Sequence, residues 1–139
     1  MALQATLILD KKSYDVRELS YSIDKTVDDD LKPSTPAKGG IINFTILSPM
    51  DNNLTFHEWV TKNSLLKSGE FVLPLTHGIE HVTKSIFFEK ALCVSLQEYY
   101  FSGYSKDASQ MYMQLKIIAG ILKFGNSDKA ILTRKELAE

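Results

Sequence analysis

The stretch "MYMQLKIIAGI", residues 111–121, alternates from end to end. Met111, Met113, Leu115, Ile117, Ala119 and Ile121 share one parity, with Tyr112, Gln114 and Lys116 between them. A period of two is the signature of an extended strand, whose successive side chains leave opposite faces; a helix would repeat its apolar residues every three or four positions. This stretch therefore predicts one long strand lining a core, ended by Lys123–Asp128. Upstream, "IFFEKALCVSLQEYYF", residues 86–101, belongs to an extended run from Thr83 to Tyr100. There Ile86, Phe88, Leu92, Val94 and Leu96 share parity, with Lys90 the exception. Tyr99 and Phe101 fall on the other parity, which predicts a turn or bulge near Gln97–Glu98.

The same pattern recurs toward the N-terminus. Leu3, Ala5, Leu7 and Leu9 alternate with Gln4, Thr6 and Ile8, and Asp10–Ser13 closes that strand as a turn. In the next run Tyr14 and Val16 share one parity, while Leu19, Tyr21 and Ile23 share the other. A pleat cannot change faces without an interruption, so a β-bulge is expected near Arg17–Glu18. In "GIINFTIL", residues 40–47, Ile42, Phe44 and Ile46 oppose Ile41, Asn43, Thr45 and Leu47. Gly69–Leu75 reads as a further short strand.

One segment has helical spacing. Across Leu54–Asn63, Phe56, Trp59 and Val60 stand at i, i+3 and i+4, forming one apolar stripe. Asp51, Asn52 or Asn53 is available as a cap, and Glu58 sits near the positive end of the helix dipole. So short a helix is marginal alone. Phe56, Trp59 and Val60 are thus expected to anchor it on the end of a β-core. Lys129–Glu139 has helical composition, with Ser127 or Asp128 available as a cap, so residues 127–139 are expected to form a C-terminal tail that includes a helix. The reading is a mainly β protein: a small antiparallel barrel or closed sandwich over residues 1–126, with one short helix.

Composition narrows the function classes. The chain has 139 residues, 44% hydrophobic and 24% charged, with a formal net charge of −1. That suits one domain with one core. No Lys/Arg cluster offers the basic patch that nucleic acid or an anionic membrane requires, and no apolar run has the length of a membrane span. The first residues show no basic region followed by an apolar one, so no signal peptide is expected. The single cysteine, Cys93, cannot make an internal disulfide and reads as a structural thiol.

Catalytic and metal patterns fail on their chemistry. His77 and His81 are spaced as two ligands on a helix, but Gly78 and the β pattern that follows oppose a helix there. His57–Glu58 opens like a zincin motif, yet the second histidine is missing. Asp28, Asp29 and Asp30 lack the spaced ligands, central glycine and closing glutamate of a calcium loop. Gly39–Gly40 precedes a strand with no phosphate-binding lysine. We expect no cofactor, no metal and no catalytic residue.

Between the second and third β runs lies "VDDDLKPSTPAKGG", residues 27–40. Hairpin connections usually take two to five residues, and longer loops often carry function. Here Asp28, Asp29, Asp30 and Lys32 supply both signs of charge, Pro33 and Pro36 stiffen the backbone, Ser34 stands between them, and Gly39 and Gly40 lead into the next strand.

The segment "SYSIDKTVDDDLKPSTPAKGGIINFTI", residues 20–46, resembles the tube-forming protein of the type VI secretion system in its Bacteroidetes form, the haemolysin-coregulated-protein (Hcp) family. The likeness rests on Ser20–Tyr21–Ser22, the acidic Asp28–Asp30, Lys32–Pro33–Ser34 and the Gly39–Gly40 pair. It continues through "FHEWV", residues 56–60, and residues 86–101, and covers about residues 1–126. The resemblance implies a β-barrel with one helix, similar to phage tail-tube proteins. It also implies homohexameric rings that stack into a hollow tube and are driven out of the cell by a contractile sheath. The implied partners are other copies of the chain, the sheath, the baseplate and spike, and effectors carried in or on the ring. The implied location is cytoplasmic when assembled, with export that uses no signal peptide. The polar residues of segment 28–40 are then expected to touch a neighbouring subunit or ring. A different class stays open on the residues: a monomeric barrel holding a small molecule, with Tyr99, Tyr100, Phe101, Tyr104 and Tyr112 lining its site.

Overall fold

A computed structural model describes residues 4–24, 38–102, 109–125 and 132–133. The elements are β1 (Thr6–Leu9), β2 (Lys12–Asp24), β3 (Lys38–Leu47), α1 (Thr55–Thr61), β4 (Lys67–His77), β5 (Glu80–Phe101), β6 (Gln110–Ile118), β7 (Ile121–Phe124) and β8 (Leu132–Thr133). Every pairing is antiparallel. The strands follow the order β4-β1-β2-β3-β6-β5, and β4 pairs again with β5, closing the sheet into a barrel. Closure leaves no free edge around its waist. β7 pairs with β5 beside the end of β6, and β8 adds to β7.

The interior is filled by the inward parity of each strand. Leu7 and Leu9 come from β1, Tyr14 and Val16 from β2, Ile42, Phe44 and Ile46 from β3, and Met113, Leu115 and Ile117 from β6. The aromatic rings form a connected path: Tyr14 meets Phe56 at 4.9 Å, Phe56 meets Trp59 at 6.3 Å, Trp59 stacks on Phe88 at 6.2 Å, Phe88 meets Phe71 at 5.5 Å, and Phe71 meets Phe44 at 5.0 Å. Helix α1 plugs the barrel with Phe56 and Trp59 fully buried, and the indole N–H of Trp59 donates to the Ala91 carbonyl at 3.0 Å. Val60 packs against the same core. Among the described residues, side chains from every long strand and from α1 fill the interior.

Two β-bulges turn the strands. The pairing of β2 with β3 skips Arg17, where the change of parity predicted it. A second shift lies between Ser22 and Ile23, where Gly40 is the extra residue on β3. Gly40 has φ 75°, the left-handed conformation that a bulge of this type demands and glycine supplies without strain. Gly69 is needed for a different reason: a Cβ there would lie 2.7 Å from the ring of Phe88 and 2.8 Å from the carbonyl oxygen of Ile8.

Five expectations need correction. Leu92 and Val94 do not face the core; Ala91 and Cys93 do, and Val94 is exposed. The cause is Lys90, at φ 54°, which inverts the parity where β5 passes from β7 to β6. A bulge at Val94 then restores it for Leu96, so the irregularity lies there and not at Gln97–Glu98. The long strand predicted for 111–121 breaks after Ile118, and Leu122 is buried in place of Ile121. Gly120 makes the break, its N–H shared between the carbonyls of Glu89 and Lys90 at 3.0 and 3.1 Å. No Asp or Asn occupies the N-cap; Leu54 does, while Asn53 Oδ1 accepts the N–H of Thr55 at 2.9 Å. Finally, Leu132 and Thr133, expected in a helix, form a strand on β7, whose outer side offers unpaired backbone groups. The rest of the expected tail helix lies outside the described residues.

Candidate functional site

The outer face of β2, β3, β6 and β5 carries two unbroken polar rows. One row joins Ser20, Asn43, Lys116 and Ser95, each paired to the next across a strand boundary. The other joins Glu18, Thr45, Gln114 and Gln97 in the same way. These residues line an open groove of about 540 Å³. Small hydroxyls and amides dominate it, and its two charges, Glu18 and Lys116, are of opposite sign. Such a surface holds water and offers hydrogen bonds without attracting one sign of charge. It contains no nucleophile–base pair.

The two barrel poles differ. At one pole, β4 and β5 continue past their neighbours. Among the described residues β1 pairs with β4 only as far as Val72, and β7 with β5 only from Ile86 onward. Leu73–His77 and Glu80–Lys84 therefore project as a two-stranded ribbon. At the other pole lie the loop from Ser48 to Leu54, helix α1 and the paired ends of β5 and β6. There Glu98 bridges three elements: Ser48 Oγ donates to its Oε2 at 3.0 Å and His57 Nε2 to its Oε1 at 2.9 Å. His57 Nδ1 is buried with no hydrogen-bond partner among the described residues. Tyr99, Phe101 and Tyr112 cluster nearby on the outer face, with ring centroids 5.4 to 6.1 Å apart.

His77 and His81 sit on the ribbon, where His81 pairs with Thr76, so no helix face presents them together. Among the described residues no group of three His, Cys, Asp or Glu side chains could hold a metal ion. Burial pushes the Cys93 thiol up to about 11, with a backbone hydrogen bond at Ser95 opposing the shift only in part. That leaves it protonated, inert and unsuited to nucleophilic work. Asp28, Asp29, Asp30, Lys32, Pro33, Ser34 and Pro36 lie outside the described residues, as does Tyr104. Gly39 pairs with Ile23, and the Gly40 carbonyl accepts the N–H of Ala119 at 2.8 Å. The Ser48–Glu98–His57 bridge had no sequence signal, because its members are far apart in the chain and share no motif spacing.

The sequence that builds this closed antiparallel barrel and its helical plug matches a family model described as haemolysin-coregulated protein Hcp (TssD) over residues 1–130. The chain belongs to the Hcp family. Hcp is a structural tube protein of type VI secretion systems and not an enzyme. Hcp1 from Flavobacterium johnsoniae is 25% identical, with a TM-score of 0.69 covering 90% of this chain and 97% of that one. The Hcp1 protein from E. coli EAEC 042, a double tryptophan mutant, shares the fold at 14% identity and a TM-score of 0.67, covering 91% of this chain and 93% of that one. The tube-terminating cap of the anti-feeding prophage shares it more loosely, at 15% identity and a TM-score of 0.52 over 89% of each chain. No curated protein matches the chain at a significant level. Among the described residues, no helix of this Hcp chain is long and apolar enough to cross a membrane.

Proposed function

We propose that this Hcp protein assembles into homohexameric rings, that the rings stack into a tube, and that a contractile sheath expels the tube with effectors in its lumen or bound to it. The single observation that carries this reading is the family match across residues 1–130. The two polar rows support it further. The wall of a conduit for protein cargo must stay hydrated and must not bind one charge sign tightly, and this face meets both needs. In this reading the groove face turns toward the lumen. Segment 28–40 touches the neighbouring subunit or ring through Asp28, Asp29, Asp30, Lys32 and the stretch bounded by Pro33 and Pro36. The baseplate and a terminating cap are the end partners, and assembly takes place in the cytoplasm.

Light scattering combined with negative-stain imaging of the purified protein tests the proposal. The expected result is a particle six times the mass of the chain, with a central hole and sixfold symmetry. A monomer at every concentration, with no rings on the grid, would refute it.

A further inference from the structure

Among the described residues, nothing in its own barrel covers the apolar tip of the projecting ribbon. Leu75 and Val82 face each other across it, 47% and 54% exposed, and Ile79 stands in the turn at 95%. A two-stranded ribbon standing alone is marginal in water, so an apolar face at its tip is a cost unless something covers it. Scattered apolar residues on a surface need no explanation. Three gathered on one thin projection do.

The opposite pole holds a matching surface. A hollow of about 410 Å³ there is lined by Pro49, Leu54, Met111 and Met113, with Asp51 on its rim and the His57–Glu98 pair in its wall. Met50 beside it is 99% exposed, and Tyr100, 61% exposed, pairs directly with Met111. One charge pair fits the contact: Asp51 is exposed on this rim, and Lys84, exposed at the ribbon base opposite Leu73, makes no ion pair among the described residues, while Glu80 beside the turn carries the opposite sign.

We infer that the ribbon tip of one copy, through Leu75, Ile79 and Val82, packs into the hollow between Leu54 and Met111 of a second copy. This inference rests on the tube-subunit reading and gives that assembly one of its contacts. The two surfaces are different and lie at opposite ends of the strands, so the contact is heterologous: every copy both donates a ribbon and receives one. Such a contact closes into a ring or propagates along a tube, and it has no two-fold axis that would stop it at a dimer. Methionines suit the receiving side, since their flexible side chains mould around an inserted group.

Cysteine pairs test it on the assembled protein. Ile79→Cys and Leu54→Cys are introduced together and separately, then treated with a short bis-maleimide and run on a denaturing gel. Cys93 is buried, so the parent chain should remain unlinked. The double variant should give a ladder of covalent multimers, and each single variant only monomer. An Ile79→Cys single variant that links to itself would overturn the inference, because ribbon would then meet ribbon. So would an assembled double variant that stays unlinked, and in that case the tube-subunit reading survives. A parent that stays monomeric at every concentration would sink both. As a second measurement, Ile79→Asp with Val82→Asp should weaken assembly at least tenfold while the circular dichroism of the subunit stays unchanged. Undiminished assembly of that variant refutes the contact.

Discussion

Replacing Trp59 with phenylalanine separates the hydrogen bond of the helical plug from its bulk. The indole is fully buried, stacks on Phe88 at 6.2 Å and donates to the Ala91 carbonyl at 3.0 Å. Phenylalanine keeps a ring in the site and loses the donor. An ordinary hydrogen bond contributes about 0.5–1.5 kcal/mol net, and the smaller ring adds a modest cavity, so the expected loss is about 2 kcal/mol. Trp59→Ala removes the ring as well and should cost about 3–5 kcal/mol. For a domain of this size 1 kcal/mol shifts the melting midpoint by roughly 3–5 °C, so Trp59→Phe should melt about 6–10 °C lower. Thermal unfolding followed by far-ultraviolet circular dichroism, at one protein concentration to hold assembly constant, measures both variants. A Trp59→Phe midpoint within 2 °C of the parent would refute the argument that the indole N–H pins the helix to β5. A Trp59→Ala variant equally unaffected would show that the plug is not part of the cooperative core.

Gly69→Ala should destabilise the barrel by about 1–3 kcal/mol, since its methyl meets Phe88 and the backbone of β1 and only one of these can yield; thermal unfolding reads this directly. Cys93, with its thiol at about 11, should alkylate with iodoacetamide at pH 8 at least tenfold more slowly in the folded protein than in urea. The same raised value has a sign: the unfolded chain ionises first, so this group's contribution to stability is intact below pH 9 and falls as pH rises from 9 toward 11. Replacing Leu31–Ala37 with a short Gly/Ser link, which spares Lys38 and its pairing with Asp24, should leave the circular dichroism unchanged and reduce ring stacking seen by electron microscopy.

The parts of the fold that were legible are those whose cause is local. Ile42, Phe44 and Ile46 alternate without interruption, and they line the core as the pattern predicts. The bulge at Arg17 was readable because two apolar sets of opposite parity flank it and no glycine or proline offers another explanation. Lys90 was not readable. A lysine seldom takes a left-handed backbone, and the demand for it comes from a change of neighbours along β5 that no local pattern records. The break at Gly120 had a cue in the glycine itself, masked by apolar residues that continue the alternation. The polar rows illustrate the same limit. Each of the eight residues reads as an outward position on its own strand, and only the register of four strands shows that they join. Family likeness supplied the tube reading, which no single motif carried.

β5 places the core-filling residues and the inferred assembly contact on different parts of one strand. It runs from Glu80 to Phe101, and its middle serves the core through Ile86, Phe88, Ala91 and Cys93. Lys90 and the bulge at Val94 let one strand change neighbours while keeping an apolar inner face. The same length carries both ends of the strand past the closed waist, as the ribbon on one side and as Tyr100 and Phe101 on the other. A core substitution such as Trp59→Phe acts on the first function, and Ile79→Asp acts on the second. Distant sites that share no partner add within about 0.5 kcal/mol. Combining the two substitutions should therefore reproduce, in subunit unfolding, the loss of Trp59→Phe alone, and in assembly at least the loss of Ile79→Asp alone. A larger unfolding deficit in the combined variant would mean that the ribbon tip supports the barrel that carries it.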